Sequence, residues 1–558
     1  MVKRTLGEIL VFMSIIDGKQ LNKALEEQKR SGEKLGEVLI RLGYATPEQI
    51  AKAQGFQLGA PYMEISSSYI DTDAPKLISA NLAKRHRLIP IRRDTDGLCV
   101  AMADPSDILA IDDASIATGM NIKPFAATPA DIEKAISRFY GRQEAESTVK
   151  DFGREYGSFD ESDGEIPESV ANAPAVKLLN LIIEQGVGSR ASDIHIEPTQ
   201  DDVRIRFRID GELHEIMKPS KDVLGPIITR IKIMANLNIA EQRLPQDGRI
   251  ETEVDGRELD IRVSIIPTIN GEKAVLRLLD KGNFLITRDR LGLSPDAMNK
   301  YLSFLKHPHG IILVTGPTGS GKTTTLYTML DEINKESKNI ITIEDPVEYT
   351  ISGVNQIQVN EKIGLGFANI LRSVLRQDPD IIMVGEIRDN ETAELAVRAA
   401  ITGHLVLSTL HTNDAAGAVT RLADMGIEPY LLSSSVVGVI AQRLVRKICQ
   451  NCKVAYEADD AEKQLLGLTP KNDFTLYRGA GCAVCNGTGY RGRQGIFEML
   501  PITKEIKKAI NSKKTEDQIA AMAVKEGNRL LIDSARELVL KGVTTPEEMT
   551  RVTYEERG

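Results

Sequence analysis

A glycine-rich segment, Gly316-Pro-Thr-Gly-Ser-Gly-Lys-Thr323, is suited to holding phosphate groups. It follows the apolar run of residues 311–314 and opens a stretch with helical periodicity, which is the usual setting of a nucleotide-binding P-loop. Glycines let backbone N–H groups approach the phosphates, Lys322 reaches the β and γ oxygens, and the Thr323 hydroxyl is a ligand for Mg²⁺. The predicted ligands are therefore ATP and Mg²⁺. The residues predicted to bind them are Gly316, Thr318, Gly319, Ser320, Gly321, Lys322, Thr323 and Thr324.

Two acidic clusters follow later apolar runs of the chain. Glu344-Asp-Pro-Val-Glu348 comes after residues 340–343, and Gly385-Glu-Ile-Arg-Asp389 comes after residues 381–384. Ligands of open parallel sheets bind outside the carboxyl ends of the strands. We therefore expect both clusters to lie at the sheet edge that presents the P-loop.

These clusters, together with two histidines, supply the candidate catalytic groups. ATP hydrolysis needs one acidic group near hydrated Mg²⁺ and another that orients the attacking water. We assign Glu386 to the Mg²⁺ shell, and leave Glu344 and Glu348 as alternatives for the water. His411, at the carboxyl end of the next apolar run, is placed to sense the γ-phosphate. His404, at the start of that run, is either a further catalytic group or a packed or capping side chain.

Four of the five cysteines form two Cys-x-x-Cys pairs. Four thiolates in two tight turns suit a closed tetrahedral site for structural Zn²⁺, and a disulfide or redox role is the alternative. The predicted ligands are Cys449, Cys452, Cys482 and Cys485. The fifth, Cys99, lies in an apolar run and is expected in a core.

Length and composition indicate a multidomain globular protein. A chain of 558 residues exceeds one ordinary core, and 42% hydrophobic with 27% charged residues is typical of soluble proteins. The net charge of −9 argues against a dedicated nucleic-acid binder, because neutralising phosphates requires a basic surface. We find neither a signal peptide at the N-terminus nor an apolar run of about 18 residues, so we expect a cytoplasmic protein.

The N-terminal part divides into three predicted segments. Residues 1–59 repeat with a period of 29 residues, and each copy is expected to form two short amphipathic helices. Residues 60–140 alternate strand-like and helix-like stretches, which predicts a small α/β module. Residues 141–168 are rich in acidic residues, Ser and Gly, which is typical of a flexible linker.

Two larger domains are predicted to follow. Residues 169–290 are rich in alternating strand patterns, and Asp-Gly turns occur at 210–211 and 255–256. The alternation places Arg262 on the face opposite the apolar core. Residues 291–558 contain short apolar runs separated by helical stretches, which is the pattern of a parallel sheet covered on both faces.

In the order and identity of its motifs, the chain resembles the family of type II secretion ATPases and type IV pilus assembly ATPases. The resemblance covers roughly residues 170–500, in the order of the family's motifs. They are Ser192-Asp-Ile-His-Ile-Glu-Pro198, Leu244-Pro-Gln-Asp-Gly-Arg249, the P-loop, Ile343-Glu-Asp-Pro-Val-Glu348, Leu375-Arg-Gln-Asp-Pro-Asp380, Val384-Gly-Glu-Ile-Arg-Asp389, Thr402-Gly-His404 and His411-Thr-Asn413.

The resemblance implies a multidomain α/β fold and a hexameric motor. In such a motor a PAS-like α+β domain, here 169–290, precedes a RecA-like domain, here 291–558, and ATP lies between them. Arg262 and Arg277 match the arginines that the family's first domain supplies to the phosphates. A guanidinium can neutralise charge on the transferred phosphoryl group. The family also has a tetracysteine zinc subdomain, here 447–490, and a helical C-terminus.

The helical repeat of residues 1–59 resembles a module through which some of these motors bind cyclic di-GMP. In that pattern an arginine precedes each Leu-Gly, whereas this chain has Thr5 and Lys34, and Ser14 replaces a glycine. Lysine does not reproduce the planar fork of a guanidinium. The departures favour a docking domain for a membrane-platform partner over a cyclic di-GMP receptor.

The sequence thus predicts a cytoplasmic hexameric ATPase, peripheral at the inner membrane, that powers type II secretion or type IV pilus assembly. Its expected partners are further copies of the chain, platform proteins and cytoplasmic adaptors. Two alternatives are a nucleotide-regulated scaffold that responds to cyclic di-GMP and a DNA-transport motor. The acidic balance of the chain disfavours the DNA motor.

Overall fold

The computed structural model describes residues 5–65, 70–71, 73–133, 135–136, 139–140, 168–254, 256–280, 287–469 and 474–554. The chain forms two compact units, one of residues 1–280 with 481–487, the other of residues 281–480 with 488–558. The predicted linker, 141–168, lies outside the described residues except for Glu168, which begins a helix. None of the helices among the described residues has both the length and the apolar character needed to span a bilayer.

The repeat near the N-terminus forms four helices, as predicted. They are α1 (Leu6–Phe12), α2 (Gly18–Ser31), α3 (Leu35–Arg41) and α4 (Pro47–Leu58). The Thr5 side chain accepts a hydrogen bond from the backbone N–H of Glu8, and the Glu8 carboxylate accepts one from the backbone N–H of Thr5. This capping box starts α1. Thr46 starts α4 in the same way with Gln49. Equivalent residues of the two copies, such as Leu10 and Leu39, share one buried core.

An α/β module follows the repeat. It contains α5 (Ala80–His86), α6 (Ile108–Thr118) and a three-stranded sheet of β1 (Leu88–Asp94), β2 (Gly97–Met102) and β3 (Ile122–Ala126). Strand β2 pairs antiparallel with β1 and parallel with β3. Cys99 of β2 is fully buried in this module's core, as expected.

The next part of the first unit is a six-stranded antiparallel sheet in the order β6-β5-β4-β9-β8-β7. Its strands are β4 (Ala191–Pro198), β5 (Val203–Ile209), β6 (Glu212–Met217), β7 (Gln246–Val254), β8 (Arg257–Thr268) and β9 (Gly271–Asp280). Helices α7 (Glu168–Gly188) and α8 (Leu224–Met234) contribute to the core on its apolar face. Ile261 and Val263 are buried there, so Arg262 between them lies on the other face, as predicted.

The second unit is built on a seven-stranded sheet in the order β12-β11-β13-β14-β10-β15-β18. Six strands are parallel and β18 is antiparallel at one edge. Buried cores lie on both faces, which confirms the predicted covered parallel sheet. The strands are β10 (Gly310–Thr315), β11 (Ile340–Glu344), β12 (Asn355–Gln358), β13 (Ile381–Val384), β14 (Leu405–Leu410), β15 (Val436–Ile448) and β18 (Tyr490–Pro501).

The remaining elements cover this sheet or extend from it. Strands β16 (Lys453–Glu457) and β17 (Thr475–Gly479) form a separate hairpin-like pair. The helices are α9 (Pro295–Leu305), α10 (Lys322–Ile333), α11 (Phe367–Val374), α12 (Asn390–Ile401), α13 (Ala415–Asp424), α14 (Pro429–Ser435), α15 (Asp460–Leu465), α16 (Lys504–Asn511), α17 (Glu516–Lys525), α18 (Leu531–Leu540) and α19 (Pro546–Tyr554). Short 3₁₀ turns occur at Pro75–Leu77, Lys221–Val223, Arg288–Arg290, Glu361–Ile363 and Ala483–Cys485.

One buried carboxylate joins the sheet to two of these helices. Glu498 of β18 accepts the backbone N–H of Ala415 at 3.1 Å, at the start of α13. It also accepts the N–H of Leu531 at 3.3 Å, at the start of α18. A carboxylate is a favourable acceptor at both positions because the first N–H groups of a helix have no partner within the helix.

Candidate active site

The glycine-rich loop connects the buried strand β10 to α10, which begins at Lys322 with Gly321 as its N-cap. Gly316 has φ +150° and Gly321 has φ +88°, which lie in the region that favours glycine. A Cβ at Gly316 would lie 2.4 Å from the carbonyl oxygen of Gln442, and one at Gly321 would lie 2.8 Å from Gln442 Nε2. Strand β15 therefore lies directly against the loop: its backbone excludes a side chain at Gly316, and the positive φ disfavours one at Gly321.

Lys322 is buried within the loop. Its Nζ donates to the carbonyl oxygens of Gly316 at 2.7 Å and Pro317 at 3.1 Å. Burial lowers the pKa of Lys322 to about 8, against the opposing charge of Glu386, while the charge of Arg443 adds to the decrease. A phosphate group would favour the charged amine and restore its ordinary ionisation.

The loop also contains an unused donor. Ser320 is buried, and its Oγ has no hydrogen-bond partner among the residues that the structure describes. A buried hydroxyl without a partner is costly, and a phosphate oxygen would relieve that cost. Lys322, the Ser320 hydroxyl and the N-terminal N–H groups of α10 form a set of donors that fits a nucleoside triphosphate.

Glu386 and His411 meet at the carboxyl ends of the neighbouring parallel strands β13 and β14. His411 Nε2 lies 3.4 Å from Glu386 Oε2, and an Arg388 guanidinium nitrogen lies 2.5 Å from Glu386 Oε1. The Glu386 side chain is 13% exposed, and its charge acts on Lys322. The structure therefore brings together these two predicted groups on the sheet edge that carries the P-loop.

The two carboxylates left as alternatives for the water differ in their surroundings. Glu344, the last residue of β11, is 3% exposed and accepts three hydrogen bonds. The donors are the Tyr327 hydroxyl, Thr342 Oγ1 at 2.5 Å and Gln356 Nε2 at 3.0 Å. Glu348 is half-buried, and its backbone N–H donates to the Tyr327 hydroxyl at 3.3 Å. Internal donors thus engage both oxygens of Glu344.

The loop after His411 is fixed to two strands of the sheet. Thr315 Oγ1, at the end of β10, accepts the backbone N–H of Thr412 at 2.9 Å and lies 2.7 Å from Thr412 Oγ1. Arg443 of β15 is 3% exposed and donates to the carbonyl oxygen of Asn413 at 2.7 Å. The sequence motifs do not identify Thr315 or Arg443 as site residues. Three charged residues in the mostly apolar run 436–448, namely Arg443, Arg446 and Lys447, are the available signal for Arg443.

His404 lies apart from this group. It precedes β14, whose six residues span about 20 Å, and therefore occupies the edge of the sheet opposite the P-loop. Its Nδ1 lies 2.9 Å from the carbonyl oxygen of Ala399. The packed or capping alternative for His404 agrees with this position, and the structure does not bring its ring to the other candidate groups.

Arg262 and Arg277 lie side by side in the first unit, as cross-strand partners on β8 and β9. Arg277 Nε donates to Asp193 Oδ1 at 2.9 Å, and the Arg277 side chain remains 59% exposed. Arg249 is the cross-strand partner of Arg262 on β7 and extends the row. Arg249 closes the Leu244–Arg249 motif, but the sequence alone gives it no role.

The four paired cysteines converge, with their sulfur atoms all within 4.8 Å of one another. The Sγ atoms of Cys482 and Cys485 are 3.7 Å apart, and each of the four residues is at most 9% exposed. A tetrahedron with Zn–S bonds of about 2.3 Å has S–S edges of about 3.8 Å. The cluster therefore fits a closed Zn²⁺ site in its ligand type, number and spacing.

A buried lysine in a glycine loop, with carboxylates at the carboxyl ends of adjacent parallel strands, defines a P-loop nucleoside triphosphatase. Residues 168–551 match the sequence profile of the family described as Type II/IV secretion system protein. The chain belongs to this family and is an ATPase. Residues 58–146 match the MshEN domain profile, which begins where the predicted helical repeat ends.

Individual relatives support this assignment. The type IV pilus assembly ATPase PilB of Myxococcus xanthus is 43% identical over 563 residues, which cover 99% of each chain. Type II secretion system protein E of Pseudomonas aeruginosa is 51% identical over 392 residues, covering 70% of this chain and 78% of the relative. The ATPase DotB of Yersinia pseudotuberculosis shares the fold, with a TM-score of 0.52 at 21% identity, covering 71% of this chain and 97% of DotB.

Proposed function

We propose that this ATPase works as a hexamer and drives an inner-membrane machine for type II secretion or type IV pilus assembly. The observation that carries the proposal is the meeting of Glu386 and His411 at the edge of the sheet that presents Lys322. Relatives from both kinds of machine are similar to most of this chain, and they support the proposed kind of machine. They give no support to the scaffold or to the DNA-transport motor.

Each site residue receives a role in this proposal. Lys322 and the loop N–H groups bind the phosphates, Thr323 and Glu386 hold Mg²⁺ with its water ligands, and His411 senses the γ-phosphate. Bound Mg²⁺ would neutralise charge on the phosphates. The exposed Thr323 hydroxyl, at the start of α10, is accessible for this role.

We assign the water-orienting role to Glu348. To orient a water, a carboxylate oxygen must be able to accept a hydrogen bond from it. Glu344 already accepts three hydrogen bonds inside the protein and is 3% exposed, whereas Glu348 is half-buried, four residues further along the same loop. The greater exposure of Glu348, and the donors that already occupy both oxygens of Glu344, favour Glu348 for this role.

Arg262 and Arg277 are proposed to neutralise phosphate charge, as the family resemblance implies. Their adjacency on one face of the antiparallel sheet concentrates positive charge, and the exposure of Arg277 leaves that charge accessible. Arg249 is next in this row, and it is paired with Asp260 at 2.5 Å and Glu251 at 3.2 Å.

The cysteine cluster is proposed to hold a structural Zn²⁺. All four ligand positions are thiolates, so a bound metal would have no open position for a substrate. The ion would then stabilise the fold of residues 447–490 and take no part in hydrolysis.

Cyclic di-GMP binding by residues 1–59 stays a prediction, as the less favoured alternative. Thr5 engages the N-terminus of α1, and Lys34 Nζ lies 3.2 Å from Asp104 Oδ2. The two positions where the pattern has arginine are thus a helix cap and one half of a surface ion pair. Neither position supplies the guanidinium of the cyclic di-GMP pattern, which disfavours that ligand.

A Glu386→Gln substitution tests the proposed site. It removes the charge that Mg²⁺ and His411 face while preserving shape, so kcat for ATP should fall about a hundredfold or more. Steady-state phosphate release by the full chain measures this. Glu394→Gln is the matched control, because Glu394 lies on the neighbouring α12 in an exposed pair with Arg398 and should keep the wild-type rate. Near-normal turnover of Glu386→Gln would contradict the assignment.

A further inference from the structure

Tyr327 connects the P-loop helix to the loop that carries Glu344 and Glu348. It lies on α10, five residues after Lys322, and is 1% exposed. Its hydroxyl donates to Glu344 Oε2 and accepts the backbone N–H of Glu348 at 3.3 Å. One oxygen atom therefore links the helix that positions Lys322 to both ends of the acidic loop.

The hydroxyl has a specific reason to be here. Burying a tyrosine oxygen is unfavourable unless it forms hydrogen bonds, and a phenylalanine would fill the same space. The ring already packs edge-on against Tyr349, with centroids 4.5 Å apart. Packing thus accounts for the ring, and the two bonds to the acidic loop account for the hydroxyl.

Glu344 serves as the fixed end of this linkage. Thr342 Oγ1 and Gln356 Nε2 both donate to Oε1, while Tyr327 donates to Oε2. With donors on both oxygens the carboxylate has one favoured orientation, and that orientation fixes the tyrosine hydroxyl. The hydroxyl in turn fixes the backbone of Glu348.

We propose that Tyr327 is a positioning residue for ATP hydrolysis: its hydroxyl, anchored by Glu344, holds Glu348 in place to orient the attacking water. This proposal rests on the proposed function, in which Glu348 has that role. Tyr327 touches neither the nucleotide nor the water in this scheme and acts through Glu348. Tyr327 should therefore affect the chemical step and leave nucleotide binding nearly unchanged.

Tyr327→Phe tests the proposal by removing the hydroxyl alone. We expect kcat to fall about ten- to a hundredfold, because small displacements of a catalytic group have effects of this size. KM for ATP and the Kd of a fluorescent ADP analogue should change less than about twofold, since uniform binding is retained. Wild-type kcat in a Tyr327→Phe protein that binds ADP normally would overturn the proposal.

Tyr301→Phe is the matched control. Tyr301 is fully buried in the same core as Tyr327, and its hydroxyl has no hydrogen-bond partner among the described residues. Removing it deletes a buried tyrosine hydroxyl without breaking a bond, so kcat should stay at the wild-type value. An equal loss of kcat in both variants would show a general effect of the core and overturn the proposal.

A double substitution separates this inference from the function on which it rests. If Tyr327 acts through Glu348, Tyr327→Phe with Glu348→Gln should be no slower than Glu348→Gln alone. Multiplicative losses would overturn the coupling while leaving Glu348 in its role. Wild-type turnover of Glu348→Gln would instead remove the proposed role of Glu348 and the inference with it.

If Tyr327→Phe fails to bind ADP, Glu344→Gln replaces it as the test. A loss of kcat in Glu344→Gln would support the anchoring role of Glu344, and an unchanged kcat would overturn it.

Discussion

Replacing Lys322 with alanine should lower kcat/KM for ATP about a hundred- to a thousandfold, the usual effect of removing one preorganised charge from a phosphoryl-transfer site. The buried amine is the cation placed inside the glycine loop, where low solvent exposure strengthens its interaction with phosphate. Steady-state hydrolysis over a range of ATP concentrations measures the loss. A variant with near-normal kcat/KM would contradict the placement of the phosphates in this loop.

The same lysine predicts an unusual pH profile. The pKa of Lys322 is about 8 because burial disfavours its charge, and kcat/KM reports the ionisation of the free enzyme. The charged form binds phosphate, so kcat/KM should be level below that pKa. Above it, kcat/KM should decrease about tenfold for each further pH unit, as the free amine becomes the major form.

Lys322→Arg provides the control for this profile. Its guanidinium stays protonated throughout the range, so the decrease above about pH 8 should disappear whatever the absolute activity of the variant. A wild-type profile that stays level to about pH 10, near the ordinary pKa of lysine, would contradict the effect of burial.

The second large effect is expected from loss of one cysteine of the cluster. Cys482→Ser should reduce the zinc content from about one ion per chain to near zero, because a serine hydroxyl is a poor substitute for a thiolate. Loss of the ion removes several kcal/mol of stabilisation from residues 447–490, so the thermal transition that includes them should move down by roughly 10 °C. Metal analysis and calorimetry measure the two effects.

Cys99 supplies the control, since it is buried in the core of the N-terminal module together with β1 and β2. Cys99→Ala should keep the full zinc content. A wild-type protein that contains no zinc and has fewer than five reactive thiols after denaturation would favour the disulfide alternative.

The features that could be predicted are those formed by residues close together in the sequence. The P-loop, the strand ends that carry Glu344 and Glu386, and the paired cysteines all depend on residues close together in sequence. The rule for parallel sheets then placed His411 near Glu386. The same rule applied to His404, which precedes β14 where His411 follows it, puts that ring at the opposite edge, as observed.

The contacts that were missed depend on distant pairings. Thr315 reaches Thr412, and Arg443 reaches Asn413, across separate strands of the sheet. In sequence, Tyr327 is typical of a core residue of an amphipathic helix. Only the packing of α10 against β11 brings its hydroxyl to Glu344. The choice between Glu344 and Glu348 likewise depends on donors from Thr342 and Gln356 that spacing alone does not identify.

Glu498 of β18, which caps two helices, couples the binding of a proton to folding. Burial, helped by the charge of Asp414, raises the pKa of Glu498 to about 7 from an ordinary value of 4.5. Between these two values the folded chain holds a proton at this position that the unfolded chain releases. By linkage, the contribution of Glu498 to the free energy of unfolding rises as pH falls from about 7 to about 4.5 and then levels off. Mild acid therefore removes the cost of burying the charge of Glu498 and stabilises the folded chain relative to the unfolded chain.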